Sequence, residues 1–120
     1  ADCLLTAPRQ PFLRCLRHLI QTGADASPEG PPLRLTTRCA DAKAVIQIRD
    51  EGGGMTPDVL ERAGEPFFTT KPPGRGMGLG LFLCRAVLDS LGGRLDLESR
   101  PGQGTTARIT LPAQRLPKSA

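Results

Sequence analysis

Three glycines at alternate positions are the strongest constraint on how this chain can fold. They stand in the run Gly76-Met77-Gly78-Leu79-Gly80, which leads directly into the helix-forming stretch 81–88. Each glycine costs about 0.5–1 kcal/mol relative to Ala inside a helix or strand, so the run predicts a turn whose backbone approaches a ligand closely. A helix N-terminus adds free N–H groups and the positive end of a dipole. The run therefore indicates a phosphate site, with a mobile loop as the alternative.

The length and composition of the chain predict one domain with an aliphatic core. It has 120 residues, 38% of them hydrophobic, with no Trp, no Tyr and four Phe. This length supports a single core but not two. The net charge is +4, and the arginines are scattered without aromatic platforms beside them. We therefore expect no nucleic-acid partner.

The cysteines and the chain start point to a cytosolic fragment. The chain has no CxxC spacing and one His, which argues against structural zinc or a disulfide framework and predicts buried, reduced thiols. No apolar run reaches about 18 residues, so we expect that this fragment does not itself enter a membrane. There is no initial Met and no signal peptide, and we expect a piece of a longer protein. The four cysteines are Cys3, Cys15, Cys39 and Cys84.

The hydrophobic pattern predicts an α+β fold, a two-layer sandwich with three helices on one face of a mixed, mostly antiparallel sheet of about five strands. The domain is expected to span residues 1–113, with a frayed tail at 114–120. The predicted strands are 2–6, 33–39, 44–50, 94–99 and 105–111, and the predicted helices start at Phe12, at Pro57 and after Gly80, ending near 27, 62 and 91.

The first long helix has three faces. Apolar residues fall at helical spacing on one side, and Arg14, Arg17 and Gln21 lie opposite. Between them runs a stripe of His18, Thr22 and Asp25, one turn apart, which suits either a site wall or a plain boundary. The apolar side consists of Phe12, Cys15, Leu16, Leu19, Ile20 and Gly23.

Asp50 is the most informative carboxylate. It is in phase with Ile46 and Ile48, so it points to the covered face of the sheet, and Gly52-Gly53-Gly54 leaves a notch beside it. A buried carboxylate needs hydrogen-bond donors. A purine amine would supply them, and nearby backbone N–H groups are the alternative.

Four segments in order resemble the catalytic ATP-binding domain of sensor histidine kinases, in the superfamily that also holds gyrase, Hsp90 and MutL. Asp50-Glu51-Gly52-Gly53-Gly54-Met55 looks like the first glycine box. Glu65-Pro66-Phe67-Phe68-Thr69-Thr70-Lys71 looks like the phenylalanine box. Gly76-Met77-Gly78-Leu79-Gly80-Leu81 looks like the second glycine box, and Pro101-Gly102-Gln103-Gly104-Thr105-Thr106 like the last. The sequence from Glu65 to Leu83, which includes a short loop of about ten residues, most resembles that of the redox-sensing RegB/PrrB-type kinases.

The resemblance implies an ATP site and a two-component signalling role. Asp50 would bind the adenine amine, Thr106 would contact the adenine pocket, and residues 66–77 would form the ATP lid. The γ-phosphoryl would pass to a histidine on a separate dimerisation domain of the same protein, and then to a response regulator, in a cytoplasmic domain of a membrane-associated sensor. The nucleotide-binding residues so implied are Asp50, Gly52, Gly54, Phe67, Lys71, Arg75, Gly76, Gly78, Leu79, Gly80 and Thr106.

One departure from the family pattern concerns Mg²⁺. The expected asparagine box aligns with residues 18–27, where His18 and Thr22 replace both asparagines, and the chain contains no Asn. The second asparagine would bind the metal. Thr22 offers a hydroxyl on a side chain one atom shorter, a poorer partner for octahedral coordination.

Three interpretations of the function follow from these residues. The first is an active ATP-dependent histidine kinase domain. The second is a degenerate regulatory module that binds nucleotide weakly or without Mg²⁺, because Thr22 replaces the metal ligand. The third is an ATPase of the gyrase/Hsp90 branch, ranked last because His18 stands where that branch has its Glu base.

Overall fold

The chain folds as a sheet covered on one face by helices. The computed structural model describes residues 3–27, 29–66, 68 and 80–115. In chain order the elements are β1 (Cys3–Leu4), α1 (Arg9–Ala26), β2 (Arg34–Ala40), β3 (Lys43–Asp50), α2 (Pro57–Arg62), α3 (Gly80–Ser90), β4 (Arg94–Ser99), β5 (Thr105–Pro112) and β6 (Gln114–Arg115).

Four strands form the main sheet in the order β2-β3-β5-β4, and each neighbouring pair is antiparallel. Both predicted hairpins, β2–β3 and β4–β5, are present. The register places Asp50 opposite Thr105, and Thr105 opposite Ser99. Because directly opposed residues share a face, these three side chains form one row across the end of the sheet.

The core lies between this sheet and helices α1 and α3. In the second hairpin Ile109 is fully buried, Leu95, Ala107 and Leu111 are nearly so, and Leu97 is partly buried against the same core. Leu88 of α3 is also fully buried. On α1 the buried residues are Cys15, Leu19 and Gly23. The α+β architecture is therefore confirmed, with helices packed on one face.

Helix α1 begins three residues before the predicted start at Phe12. Pro8 caps it and Pro11 falls within its first turn. Proline is tolerated there because the first N–H groups of a helix have no intrahelical partner. The predicted bounds of α2 are confirmed, with the Thr56 hydroxyl accepting from the Val59 N–H at 3.4 Å. The predicted end of α3 near residue 91 is also confirmed, and Gly92 follows the helix with φ +75°, as is common after a helix C-terminus.

The chain ends differ from the prediction. Residues 2–6 were expected to form an edge strand of the main sheet, but β1 pairs only with β6, in a separate two-stranded sheet. The main sheet thus has four described strands rather than about five. Gln114 and Arg115 belong to β6, so the expected frayed tail does not begin at 114, and residues 116–120 lie outside the described part.

The cysteine prediction is half right. Cys15 and Cys84 are free and buried, as expected of apolar fillers. Cys39 is disulfide-bonded, contrary to the expected absence of disulfides. The expectation rested on spacing along the chain, whereas a disulfide depends on Cα atoms about 5.5–6 Å apart in space. Within the described ranges, no helix combines the length and the apolar character needed to cross a bilayer.

Candidate nucleotide-binding site

The site is built around the buried carboxylate of Asp50. This residue ends β3 on the helix-covered face and is 7% exposed. The Gly52 N–H donates to its Oδ1 at 2.9 Å. No second hydrogen bond to this carboxylate is seen among the described residues. Backbone N–H groups, the alternative donors considered from the sequence, therefore satisfy one of its two oxygens. The other, Oδ2, is chemically suited to accept from a ligand.

Gly23 of α1 makes room beside Asp50. A Cβ at Gly23 would lie 3.5 Å from the Asp50 Cβ and 2.9 Å from a Leu33 methyl. Any side chain larger than hydrogen would therefore narrow the space over the carboxylate. A glycine in the middle of a helix costs about 1 kcal/mol relative to Ala. Here the close approach of α1 to β3 explains why a glycine stands in the helix despite this cost.

The loop after Asp50 interlocks with the turn between β4 and β5. The Gly102 N–H donates to the Gly53 carbonyl at 2.7 Å, and the Met55 N–H donates to the Ser99 hydroxyl at 2.8 Å. Gly54 has φ +72°, and a Cβ there would collide with the Arg100 carbonyl oxygen. The first and last glycine boxes thus form one unit, though they lie about 50 residues apart in sequence.

Glycines in this unit face backbone atoms. A Cβ at Gly104, which has φ +72°, would collide with the Asp50 carbonyl oxygen. A Cβ at Gly52 would lie 2.7 Å from the Ala26 carbonyl oxygen at the end of α1. Since backbone carbonyls cannot turn aside as side chains do, these positions require glycine. The glycine pattern therefore closes the loops tightly around Asp50.

Thr106 lies on the other face of the sheet from Asp50. It pairs with Arg49, whose Nη1 donates to the Thr106 Oγ1 at 3.0 Å. This orientation does not agree with the predicted contact to the adenine pocket. The residue opposite Asp50 is Thr105, whose Oγ1 lies 2.8 Å from the Ser99 Oγ. The alternation of side chains along β5 could have identified Thr105, because Thr105, Ala107 and Ile109 all point to the inward face of the sheet.

The outward face of the same strands carries a charged groove of about 400 Å³. Two of its arginines are in ion pairs: Arg108 Nη1 lies 2.8 Å from Glu98 Oε1, and Arg49 Nε lies 3.5 Å from Glu51 Oε1. Arg94, with its Nε 2.7 Å from Asp96 Oδ2, lowers the pKa of Asp96. This face is solvated and lies away from Asp50.

A second cluster on α1 lies at the start of α3. The Thr22 Oγ1 and the His18 Nε2 are 3.4 Å apart, and both residues are half-buried. The His18 imidazole occupies the space that a Cβ on Gly80 would take. Gly80 is the first residue of α3. The predicted stripe of His18 and Thr22 thus faces the helix start that was expected to hold phosphates, whereas Asp25 is exposed.

The donors at this end do not fit a directly bound Mg²⁺. The ion requires near-octahedral oxygen ligands at about 2.0–2.1 Å. Thr22 contributes one hydroxyl oxygen, its neighbour His18 offers a nitrogen, and the Asp25 carboxylate accepts from Gln21 Nε2 at 2.8 Å. In the part of the chain that the structure describes, no three His, Cys, Asp or Glu side chains converge on one point.

Several predicted site residues lie outside the described residues. At the near edge of the predicted lid, Arg62 bridges to Glu65 at 3.1 Å and its guanidinium lies 4.3 Å from the centre of the Phe68 ring. These contacts anchor the end of α2 where the lid begins. The predicted residues outside the described part are Phe67, Lys71, Arg75, Gly76, Gly78 and Leu79.

The contact between α1 and α3 contains two thiols. The Cys84 Sγ donates to the Cys15 carbonyl at 3.6 Å, and both residues are 3% exposed. The hydrogen bond with Cys15 and, after it, burial raise the pKa of the Cys84 thiol. A mostly apolar groove of about 350 Å³ runs along this contact beside Gly80. The Cys84 thiol is therefore a poor nucleophile.

Comparisons with known proteins agree with this architecture. The profile of the family described as histidine kinase-, DNA gyrase B-, and HSP90-like ATPase matches residues 8–115. Sporulation kinase C of Bacillus subtilis (strain 168) is 33% identical over 110 residues, covering 92% of this chain and 25% of that protein. Sporulation kinase E of the same strain is 39% identical over 108 residues, covering 89% of this chain and 14% of that protein.

A solved structure shows the same fold. The mycobacterial sensor histidine kinase MprB superposes with a TM-score of 0.84 at 25% identity, over 95% of this chain and 78% of that one. The chain spans a quarter or less of the two sporulation kinases. It therefore belongs to the family of histidine kinase-, DNA gyrase B- and HSP90-like ATPases, as a catalytic ATP-binding domain of the sensor histidine kinase type.

Proposed function

We propose that this chain binds ATP with the adenine against Asp50 and the phosphates at the start of α3, and that it does so without a protein-bound Mg²⁺ at Thr22. One observation carries the proposal: a carboxylate that is 7% exposed uses only one of its oxygens within the described structure. Among the described residues no buried side-chain oxygen lacks a partner, so Oδ2 is accessible from the surface. A ligand amine could therefore reach Oδ2 and donate a hydrogen bond to its charge.

The adenine end is supported by the sheet and its loops. Asp50 at the end of β3 and Thr105 at the start of β5 stand side by side, and Gly23 lets α1 pack closely against Asp50 and Leu33. The Gly52 N–H donates to the carboxylate, and Gly54 lets the same loop pack against the Arg100 carbonyl. We assign the adenine-pocket threonine role to Thr105 in place of Thr106, because Thr105 shares the face of Asp50.

The phosphate end rests on the position of α3. Its N-terminus at Gly80 presents free N–H groups, which favour an anion. Gly76, Gly78 and Leu79 are proposed to continue this cradle, and Lys71 and Arg75 to reach the phosphates from the lid, with Phe67 beside them. Phosphoryl transfer depends mostly on positioning and charge neutralisation.

The partners are proposed from the kinase family. The γ-phosphoryl would be delivered to a histidine on a separate dimerisation domain of the same protein, and from there to a response regulator, on the cytoplasmic side of a membrane-associated sensor. Membership of the RegB/PrrB-type subfamily is proposed from the amino-acid sequence of residues 65–83 alone. His18 is not the phosphoacceptor, because it packs against Gly80 inside the domain.

A degenerate, regulatory nucleotide-binding module is the second candidate. The donor set around Thr22 favours it, since one hydroxyl and one imidazole nitrogen replace two amides. Without that metal ligand the phosphate charge is less fully neutralised, so phosphoryl transfer would be slow while binding persists. The gyrase/Hsp90 type of ATPase is less well supported, because His18 stands where that branch has its Glu base.

The test is calorimetric titration of the chain with a non-hydrolysable ATP analogue. Asp50→Asn retains an oxygen for the Gly52 N–H but presents an amide in place of the carboxylate, so the fold should persist. Losing a charged hydrogen bond costs about 1.5–3 kcal/mol, or roughly 10–150-fold in Kd. We expect weak binding to the unaltered chain and a loss of that order in Asp50→Asn.

The matched control is Asp96→Asn, which changes an aspartate on the outward face of β4. Its affinity for the analogue should equal that of the unaltered chain. Equal affinities of Asp50→Asn and the unaltered chain would refute the assigned role of Asp50. No binding to the unaltered chain would refute the proposed function as a whole.

A further inference from the structure

We infer that Ser99 is a positioning residue for adenine selection: it fixes the direction of the Thr105 hydroxyl proton, so that Thr105 and Asp50 present two acceptors to the base. This inference rests on the proposed function and deepens it. Ser99 is half-buried at the end of β4, in the same cross-strand row as Thr105 and Asp50.

Three contacts surround the Ser99 hydroxyl. The Met55 N–H donates to its Oγ at 2.8 Å, and the Oγ donates to the Gly104 carbonyl at 2.9 Å. The third contact is with the Thr105 Oγ1 at 2.8 Å, where either oxygen has the chemistry to donate. Ser99 thus connects the loop after Asp50 with the turn that leads into β5.

The number of protons settles which oxygen donates. A serine hydroxyl has one proton and two acceptor lone pairs. A carbonyl only accepts, so the Ser99 proton belongs to the contact with Gly104. A backbone N–H only donates, so Met55 uses one lone pair of Ser99. The remaining contact is satisfied only when Thr105 donates to Ser99.

This assignment fixes the polarity of the site. With its proton engaged by Ser99, the Thr105 oxygen keeps a lone pair with which to accept from a ligand, at the strand position directly opposite Asp50. Two acceptors match an exocyclic amine, which has two N–H donors. A 6-oxopurine places a carbonyl acceptor at the same position, opposite two acceptors. A site built for hydrogen-bond donors rejects a ligand that lacks them.

Removing the Ser99 hydroxyl should release the Thr105 proton. Thr105 is then able to rotate and donate into the pocket, which weakens the preference for an amine and relieves the repulsion of an oxo group. A merely structural Ser99 would lower stability and leave base preference unchanged. The ratio of GTP to ATP dissociation constants therefore separates the two roles.

The experiment measures Kd for non-hydrolysable ATP and GTP analogues by calorimetry on the chain and its variants. Ser99→Ala deletes the hydroxyl. Ser99→Cys keeps the approximate side-chain shape with a weak acceptor, and it serves if Ser99→Ala does not fold. Thr105→Val deletes the group through which Ser99 acts, and Thr106→Val is the matched control on the opposite face of β5. Melting temperatures are recorded for every variant.

For the unaltered chain we expect at least tenfold tighter binding of the ATP analogue than of the GTP analogue. Ser99→Ala and Ser99→Cys should reduce this ratio about fivefold or more. Ser99→Ala combined with Thr105→Val should have the ratio of Thr105→Val alone, because the two residues act in series. Thr106→Val should keep the ratio of the unaltered chain.

An unchanged ratio in both Ser99 variants would overturn the inference while leaving the proposed function standing, and so would additive effects of Ser99→Ala and Thr105→Val. An equal loss in Thr106→Val would also overturn it. Absence of ATP-analogue binding in the unaltered chain would instead refute the proposed function, and the inference with it.

Discussion

The two ends of the candidate site use glycine in different ways. At the adenine end, Gly52, Gly54 and Gly104 lie against backbone carbonyls of Ala26, Arg100 and Asp50. At the phosphate end, Gly80 lies against the imidazole of His18. A carbonyl in a closed loop cannot move aside, whereas a side chain can rotate. Backbone contacts therefore determine the shape of the adenine end. The shape of the phosphate end depends on side chains, which a substitution can readily change.

The same contrast extends to the polar groups. The row of Asp50, Thr105 and Ser99 follows from the strand register and the loops that close on it. The pair His18 and Thr22 is set by two positions on one helix. The helix that carries them buries Cys15, Leu19 and Gly23 against the core. We therefore propose that binding of the base and binding of a metal are structurally separable.

The largest effect is expected for Gly104→Ala. Its new Cβ would combine a left-handed backbone with a collision against the Asp50 carbonyl, costing about 2–5 kcal/mol. The matched control is Gly102→Ala, where φ is +77° but the space is open, so only about 1–2 kcal/mol is expected. Urea unfolding measures both. Equal losses in the two variants would contradict the assigned collision.

A smaller effect is expected for Gly80→Ala. The His18 imidazole must turn away from the new methyl group, which we expect to cost about 1–3 kcal/mol. Adding His18→Ala should remove this cost, so the double variant should be no less stable than His18→Ala alone. Urea unfolding of the four proteins gives the coupling. Additive losses would show that Gly80 is constrained by backbone, as at the adenine end.

Alkaline pH should weaken the helix contact under the phosphate end. Because the pKa of Cys84 is raised in the folded state, the unfolded chain loses this proton first as the pH rises above about 8.5. The unfolded state then binds fewer protons, so the free energy of unfolding falls with pH, by at most about 1.4 kcal/mol per pH unit. Cys84→Ala should show a shallower decline between pH 7 and 9.5. An identical decline would contradict the role of this thiol.

Much of this site could be predicted from the sequence because period-2 patterns fix strand faces. The phase shared by Asp50 and Ile48 placed the carboxylate inside, and the second hairpin followed the same rule. The prediction of Thr106 rests on resemblance alone, and the strand register puts this buried residue on the face opposite Asp50. Thr105 and Thr106 are neighbours in β5, so their side chains point to opposite faces of the sheet.

Other features depend on contacts that local patterns do not encode. Ser99 reads as an ordinary strand residue, and its role is visible only when Met55 and Gly104 are brought to it. The pairing of β1 with β6 likewise joins distant parts of the chain. Local composition carries no signal for such pairings, because they depend on the closed fold.

Mg²⁺ dependence of nucleotide binding tests the separation of the two ends most directly. Calorimetric Kd values for the ATP analogue would be measured in Mg²⁺ and in EDTA, on the unaltered chain, on Thr22→Asn and on the exposed control Gln21→Asn. We predict less than threefold dependence on Mg²⁺ for the unaltered chain and the control, and about tenfold tighter binding with Mg²⁺ for Thr22→Asn, equivalent to about 1.4 kcal/mol. Strong Mg²⁺-dependent binding by the unaltered chain, with no gain in Thr22→Asn, would contradict the account.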